Sequence, residues 1–154
     1  MDTSGTSGVF AREFDEIGRA VEVGFAGGRV ISVSFPETTP ADATADHDLL
    51  DRIGGYLGGE RDAFDDVATG LTVPTDRRAV LEALDTVPYG EEVSVSRLTR
   101  LAALDADDPE DLELVNSALR ENPIPIFFPD HRVQGGPYAT PGGVRETLRR
   151  VEGL

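Results

Sequence analysis

Residues 122–133 read NPIPIFFPDHRV, and this stretch decides the fold of the chain. Pro123 and Pro125 cannot continue a helix, so a helix that reaches them from the N-terminal side must end there. Residues 124–128 are apolar, which predicts an extended segment. The ionisable run Asp130-His131-Arg132 follows after one more proline. A helix end, an apolar segment and a charged run therefore succeed one another within this stretch.

The residues before this stretch predict two short helices joined by a tight turn. Asp108-Pro109-Glu110 combines an acidic cap, a proline at the first helical position and an acid in the first turn, so a helix begins here and ends near Asn122. Ser94 or Ser96 predicts the start of the preceding helix, which runs through Leu98, Leu101 and Leu104. Such a pair is typical of a helix-turn-helix.

Two further helices flank this pair. Asp76 predicts the cap of the first, which ends before a turn at residues 87–90 and has the apolar face Val80, Leu81 and Leu84. A glycine-rich loop over residues 135–143 leads to the second, whose inward residues are Val144, Leu148 and Val151.

Alternating apolar residues predict a β-hairpin in the first half of the chain. The alternation covers residues 21–25 and resumes over residues 31–35, on either side of Ala26-Gly27-Gly28. His47 comes next and is expected to be a solvated neighbour of a helix cap. The helix itself has the apolar positions Leu49, Leu50, Ile53, Tyr56 and Leu57. Residues 71–73 then predict a strand.

The chain of 154 residues is strongly acidic, with 29 acidic residues against 14 basic ones, all arginine, and a formal net charge of -15. A basic partner is one explanation, but it favours blocks of like charge, whereas these acids are spread along the chain. Adaptation of the whole surface to concentrated salt is the favoured explanation, because salt screens the repulsion between the acids. The composition therefore predicts a protein of a halophile's cytoplasm.

Residues 115–154 are the exception, because they carry four acidic residues and five arginines. Either this part has a role that excludes heavy acidity, or it is more buried than the rest.

The composition also excludes several classes of site. Cysteine is absent, so disulfides, thiolate metal sites and a cysteine nucleophile are impossible. No apolar run approaches the roughly 18 residues of a membrane span. Residues 1–8 are small and polar, which predicts a disordered tail rather than a secretory signal. We expect a monomer without membrane, metal or cofactor.

The stretch 122–133 resembles the active-site run NPxPxxxPCHRV of the O6-alkylguanine-DNA alkyltransferases. Further matches stand in the family's order, namely residues 87–91 with Val93-Ser94, Ala118-Leu119-Arg120, Tyr138, Gly142-Gly143, Glu152 and, more weakly, residues 56–59 with Phe64 and Leu71. The resemblance implies an α+β fold. It has a small α/β N-terminal domain with the β-hairpin over residues 9–74, and a helical, winged-helix-like, alkyltransferase-type domain over residues 75–154.

The resemblance also implies a chemistry that this chain lacks. In the family, a cysteine accepts the alkyl group and is activated through the next histidine and a distant glutamate, at the positions of Asp130, His131 and Glu152. A carboxylate is a poor nucleophile towards an alkyl ether, and the ester would be labile. The chain is therefore similar to alkyltransferase-like relatives without the cysteine, and we expect no enzyme. His131 is then expected to be structural and to bond Glu152 through water.

The positions that the family uses on DNA differ as well. Glu113 takes the place of an arginine that enters the base stack, Val95 that of a tyrosine that rotates the nucleotide, and Asn116-Ser117 that of a glycine pair. Flipping a base costs a few kcal/mol and needs replacement contacts, so two of the usual ones are missing. The remaining residues of the expected DNA and pocket site match the family, and they are Arg120, Asn122, Arg132 and Tyr138.

Two functions stay open at this point. The first is a DNA-associated protein that recognises alkyl lesions or assists DNA repair, with double-stranded DNA containing alkylated guanine as its partner. The second is a degenerate paralogue that no longer binds DNA and acts through a protein partner or a small ligand in the former alkyl pocket. Glu113 and Val95 favour the second.

The acidic composition predicts that folding depends on salt. The melting temperature should rise from dilute buffer to molar KCl, because repulsion among the acidic side chains is poorly screened at low ionic strength. Thermal unfolding followed by circular dichroism across a KCl series measures this. A flat or falling curve contradicts adaptation to salt.

Overall fold

The computed structural model describes residues 6–154, and its first half is built on a three-stranded antiparallel sheet in the order β1-β2-β3. The strands are β1 (Gly8–Phe14), β2 (Arg19–Ala26) and β3 (Arg29–Ser34). Gly27 and Gly28 both have positive φ, 57° and 81°, as a tight hairpin turn requires. The predicted hairpin is therefore confirmed as β2 and β3, whereas β1 was not predicted.

The prediction of a disordered tail over residues 1–8 was wrong for residues 6–8. β1 begins at Gly8, and the residues before it bond to the hairpin turn. The carbonyl oxygen of Thr6 accepts from the amide of Gly28 at 2.8 Å, and Ser7 Oγ accepts from the amide of Gly27 at 3.2 Å. Residues 1–5 lie outside the described part of the chain.

Helix α1 (Asp48–Leu57) packs on the sheet through its predicted apolar face. His47 is the N-cap itself rather than a neighbour of the cap, because its Nδ1 accepts from the amide of Leu49 at 3.0 Å. Its ring also lies against two aromatic rings, with centroids 4.7 Å from Phe10 and 4.9 Å from Phe25. The expectation of a solvated histidine was therefore wrong.

The segment at residues 71–73 is not a strand. The only strand-like pairing nearby is a single bridge between Thr69 and Val30, and the chain then leaves the sheet. The carbonyl of Leu71 accepts from Arg78 Nη2 at 2.5 Å instead of from a neighbouring strand. A side chain of the next helix thus takes up the hydrogen bond that would have extended the sheet.

The second half contains four helices, which are α2 (Thr75–Asp85), α3 (Val95–Leu101), α4 (Pro109–Arg120) and α5 (Gly142–Val151). Asp108 caps α4 as predicted and accepts from the amide of Glu110 at 2.9 Å. Ser94 caps α3 in the same way. Asp76 does not cap α2, because Pro74 holds that position and Asp76 bonds the next amide. Strand β4 (Val93–Ser94) pairs in parallel with β5 (Val133–Gln134).

Helix α3 is shorter than predicted. It ends at Leu101, and Ala103 then adopts a positive φ of 62°, so Leu104 lies outside the helix.

The apolar segment 124–128 folds back on itself rather than extending. The amide of Phe128 bonds the carbonyl of Ile124 at 3.0 Å, and Ile126 between them has a positive φ of 76°. The turn is buried, and its start is fastened to the sheet because the carbonyl of Pro123 accepts from the amide of Val33 at 2.9 Å. The prediction of an extended segment was therefore wrong. The turn brings the ionisable run Asp130-His131-Arg132 back to the core.

One continuous apolar cluster contains residues of both predicted domains. The division at residues 74 and 75 stays a prediction. Within residues 6–154, no helix combines the length and the apolar content that a bilayer crossing requires.

Candidate functional site

A group of charged side chains is buried where the turn at 124–128 meets helix α5. Asp130, His131 and Arg132 form one turn of 3₁₀-helix directly after that turn. Glu152 follows the last residue of α5 and serves as its C-cap. All four residues are buried, and Asp130 and His131 are 0% exposed. Buried charges require partners, so the bonds of each carboxylate define the site.

Glu152 is the centre of this group. It accepts from Tyr56 Oη at 2.5 Å, from Arg132 Nε at 2.8 Å and from the amide of Gly90 at 2.9 Å. His131 Nε2 lies 2.6 Å from its Oε2, so this contact is direct and the expected bridging water was wrong. Burial opposes ionisation of Glu152, but the bonds from His131 and Arg132 outweigh it and hold its pKa below the ordinary value.

The Glu152 carboxylate determines which nitrogen of His131 carries the proton. Nε2 faces the carboxylate and must donate, since an unprotonated nitrogen there would repel it. Nδ1 is buried and makes no hydrogen bond. The ring is also fixed through its backbone, because Arg149 Nη1 donates to the carbonyl of His131 at 2.9 Å. The arrangement therefore still orients a histidine for proton transfer at Nδ1.

Tyr56 and Gly90 are members of this site that the sequence analysis did not assign to it. Tyr56 was predicted as an apolar position of α1 and as part of a weaker match to the family pattern, and it comes from the N-terminal half of the chain. Burial and the nearby Glu152 raise the pKa of Tyr56 above its ordinary value, so the hydroxyl keeps its proton and donates a hydrogen bond. A further signal was a hydroxyl-bearing residue on an otherwise apolar helix face.

Asp130 bonds a different set of partners. Its Oδ1 accepts from Thr140 Oγ1 at 2.6 Å, and its Oδ2 accepts from the amide of Ala139 at 3.1 Å and from Asn122 Nδ2 at 3.3 Å. The amide of Thr140 adds a longer bond of 3.4 Å. Burial raises the pKa of Asp130 above its ordinary value, although these donors and His131 favour the charged form. Asp130 and His131 are thus adjacent but serve separate networks.

The remaining pocket residues lie along the loop between β5 and α5. Tyr138 Oη donates to the carbonyl of Val133 at 2.9 Å, and the guanidinium of Arg145 lies 3.8 Å from its ring centroid. Val95 packs against this loop, since a Cβ at Gly136 would lie 3.1 Å from Val95 Cγ2. Asn122 reaches the loop only through Asp130, and its Nδ2 also donates to the carbonyl of Phe128 at 2.8 Å.

Four of the residues predicted for DNA contact lie on α4, namely Glu113, Asn116, Ser117 and Arg120. Glu113 and Arg120 are exposed and form an ion pair at 3.3 Å, and Ser117 Oγ donates to the same Glu113 oxygen. Asn116 and Ser117 are partly exposed. The charge of Arg120 is therefore partly neutralised by Glu113. In residues 6–154, no cluster of three or more His, Asp and Glu side chains could hold a metal ion.

Comparison with known proteins identifies this arrangement. Residues 75–151 match the family described as 6-O-methylguanine DNA methyltransferase, DNA binding domain. The methylated-DNA–protein-cysteine methyltransferase of Mus musculus is 31% identical, over 86% of this chain and 74% of its own length. The chain belongs to this family of DNA-repair methyltransferases. Its cysteine-free sequence is a departure within the family.

Solved structures agree with the fold of this methyltransferase-family protein. The O6-methylguanine methyltransferase of Mycobacterium tuberculosis superposes with a TM-score of 0.73 at 25% identity, covering 94% of this chain and 93% of the other. A second structure of that organism's protein, in complex with DNA, gives a TM-score of 0.71 at 25% identity, covering 94% of this chain and 91% of the other. The predicted α+β fold is confirmed.

The Glu152 network predicts a specific loss of stability in acid. Because the pKa of folded Glu152 lies below its unfolded value, its stabilisation is present above about pH 4.3 and is lost as the pH falls towards the folded pKa. Glu152→Gln should lower the free energy of unfolding at pH 7 by about 3 kcal/mol. It should also show a smaller loss between pH 7 and pH 3 than the unmodified protein.

Urea unfolding at several pH values measures both effects. The matched control is Glu146→Gln, an exposed position on the same helix, which should behave like the unmodified protein. An unchanged pH dependence in Glu152→Gln would show that the buried bonds of Glu152 do not control acid stability.

Proposed function

We propose that this protein is a member of the methyltransferase family that does not transfer alkyl groups and that associates with DNA as a lesion-recognising or accessory repair protein. The absence of alkyl transfer is supported by the burial and the hydrogen bonds of Asp130, which stands where the family pattern has its cysteine. The carboxylate is 0% exposed and both its oxygens accept hydrogen bonds. A group held in this way is a poorer nucleophile still than a free carboxylate.

Three observations support association with DNA. Helices α3 and α4 lie within the match to the family's DNA-binding domain, and a relative with the same fold is known in complex with DNA. Residues 115–154 contain five arginines against four acids, in a chain whose formal net charge is -15. Of these five arginines, Arg120 lies on α4, and arginines on a helix-turn-helix contact phosphates.

The exposed side of α4 argues for weak association without base flipping. Glu113 already pairs with Arg120, which leaves less of the guanidinium for a phosphate. Glu110 and Asp111 add negative charge at the N-terminus of the helix, where phosphate would otherwise be favoured. We therefore infer binding that reads the shape of the duplex and has a shallow dependence on salt, since few phosphates are contacted.

The same charges support a second candidate function. A paralogue without DNA binding would need no cation on α4, and Glu113 with its neighbouring acids fits that role. Such a protein would act through a protein partner. The spread of acids along the chain further supports our proposal that either protein works in the salt-rich cytoplasm of a halophile.

A band-shift assay separates the two functions. Duplexes with and without one O6-methylguanine are titrated with the protein across a KCl series. Preference for the lesion supports the proposal, and absence of binding at every salt concentration favours the paralogue. Glu113→Gln is the informative variant, because removing this charge should tighten binding only if α4 faces the duplex. Glu146→Gln on α5 controls for the change in net charge.

The proposal predicts that no alkyl group is taken up from damaged DNA. After incubation with a duplex that contains O6-methylguanine, intact-protein mass spectrometry should show an unchanged mass, because the chain has no thiol and Asp130 is engaged. A stable mass increase of one methyl group on Asp130 would refute it.

Restoring the cysteine should restore reactivity only towards a free base. Asp130→Cys would place a thiol beside His131, whose ring Glu152 still orients, so slow reaction with free O6-benzylguanine is expected. Reaction with an alkylated duplex should be about a hundredfold slower than in the triple variant that adds Val95→Tyr and Glu113→Arg, because flipping lacks its replacement contacts.

Single-turnover labelling with each substrate measures these rates. Asp130→Ser, with a hydroxyl in place of the thiol, is the unreactive control. If Asp130→Cys repairs the duplex as fast as the triple variant, Val95 and Glu113 do not occupy the positions that we assign to them.

A further inference from the structure

The surroundings of Asp130 form a receptor for a carboxylate. Every hydrogen bond to it comes from a neutral donor, namely Thr140 Oγ1, Asn122 Nδ2 and the amides of Ala139 and Thr140. Hydroxyl, amide and backbone N–H groups that converge on one point favour an anion with two oxygens. Thr140 and Asn122 are 3% and 4% exposed, so water cannot easily replace the carboxylate.

Most of these donors come from one segment. The loop over residues 135–141 joins β5 to α5, and its residues Ala139 and Thr140 provide three of the four bonds. Asn122 provides the fourth from the end of α4. The carboxylate therefore lies between the loop and the core and is bonded to both.

The other contacts of the loop lie in its first half. Tyr138 bonds a carbonyl of the adjacent strand, and Gly136 packs on Val95 and on Leu119. These contacts hold the first half of the loop against β5 and α4. The second half, at residues 139 and 140, is fixed to the core by Asp130.

We propose that Asp130 acts as an internal ligand, whose carboxylate fills an anion cradle and latches the loop over residues 135–141 closed. The cradle is a carboxylate-binding site in its own right, so it takes a small carboxylate from solution once the Asp130 side chain is removed. The latch holds whether or not the protein binds DNA, because none of its bonds involves the exposed side of α4.

Chemical rescue tests the site directly. In KCl alone, Asp130→Gly should melt about 5 °C or more below the unmodified protein, because several buried donors lose their acceptor. Replacing 0.5 M KCl with 0.5 M potassium formate at constant ionic strength should raise its melting temperature by about 2 °C or more beyond any change in the unmodified protein. Asp130→Asn is the matched control, because its side chain leaves no room for formate and should show no such gain.

A second pair of variants tests the latch even if Asp130→Gly does not fold. Thr140→Val keeps the shape of the side chain but removes the shortest bond to Asp130, whereas Thr140→Ser keeps the hydroxyl. Amide hydrogen exchange at residues 139 and 140 should be about tenfold faster in Thr140→Val than in Thr140→Ser. Equal exchange in the two variants, or equal effects of formate on Asp130→Gly, on Asp130→Asn and on the unmodified protein, would overturn the proposal.

Discussion

The buried carboxylate of Glu152 is the constraint on which the arrangement of this protein depends. It accepts from Tyr56 on α1, from Gly90 in the turn after α2, and from His131 and Arg132 in the 3₁₀ turn. Three distant parts of the sequence thus meet a fourth, the C-cap of α5, at the carboxylate of Glu152. An unpaired buried charge costs free energy, so the burial of the Glu152 carboxylate requires that all of these segments are in place. This is the physical reason that the two halves share one core.

Two carboxylates are buried in this core, and their surroundings act on them in opposite ways. Glu152 faces the guanidinium of Arg132 and the imidazole of His131, and its pKa falls despite its burial. Asp130 has only neutral donors as hydrogen-bond partners, and burial raises its pKa. The first carboxylate is therefore an ion-pair partner that orients a histidine, whereas the second is an anchor for a loop. Asp130 therefore fastens the loop to the core, while the neighbouring His131 is oriented by Glu152.

The sequence predicted those parts of the structure whose signals are local. The Asp108 cap, the turn at Gly27-Gly28 and the end of α4 before Pro123 each follow from adjacent residues. Features that depend on distant partners could not be predicted from the sequence. Examples are the bond of Tyr56 to Glu152 across 96 positions and the bonds of Thr140 to Asp130. The turn at residues 124–128 was not predicted either, because no residue type in this apolar run indicates the positive φ of Ile126. The site residues that the family resemblance supplied stay predictions, whereas the structure shows hydrogen-bond partners of theirs that no local pattern indicates.

At most of the positions that we compare with the family pattern, burial accompanies a match, and the exceptions are Arg120, which is exposed, and Tyr138, which is partly exposed. Asn122, His131, Arg132 and Glu152 match the pattern, and all four are buried and hydrogen-bonded to one another's segments. Val95, Glu113, Asn116 and Ser117 differ from it, and all four are exposed or partly exposed. On α4, Glu113 bonds Ser117 and Arg120 beside solvent, whereas Val95 on α3 packs against Gly136. Asp130 is the buried exception, and it is tolerated because Thr140 and the adjacent amides satisfy both of its oxygens. The bonds of His131 and Arg132 to Glu152 join the 3₁₀ turn to the end of α5, so the pair has a structural role in addition to any chemistry at Asp130.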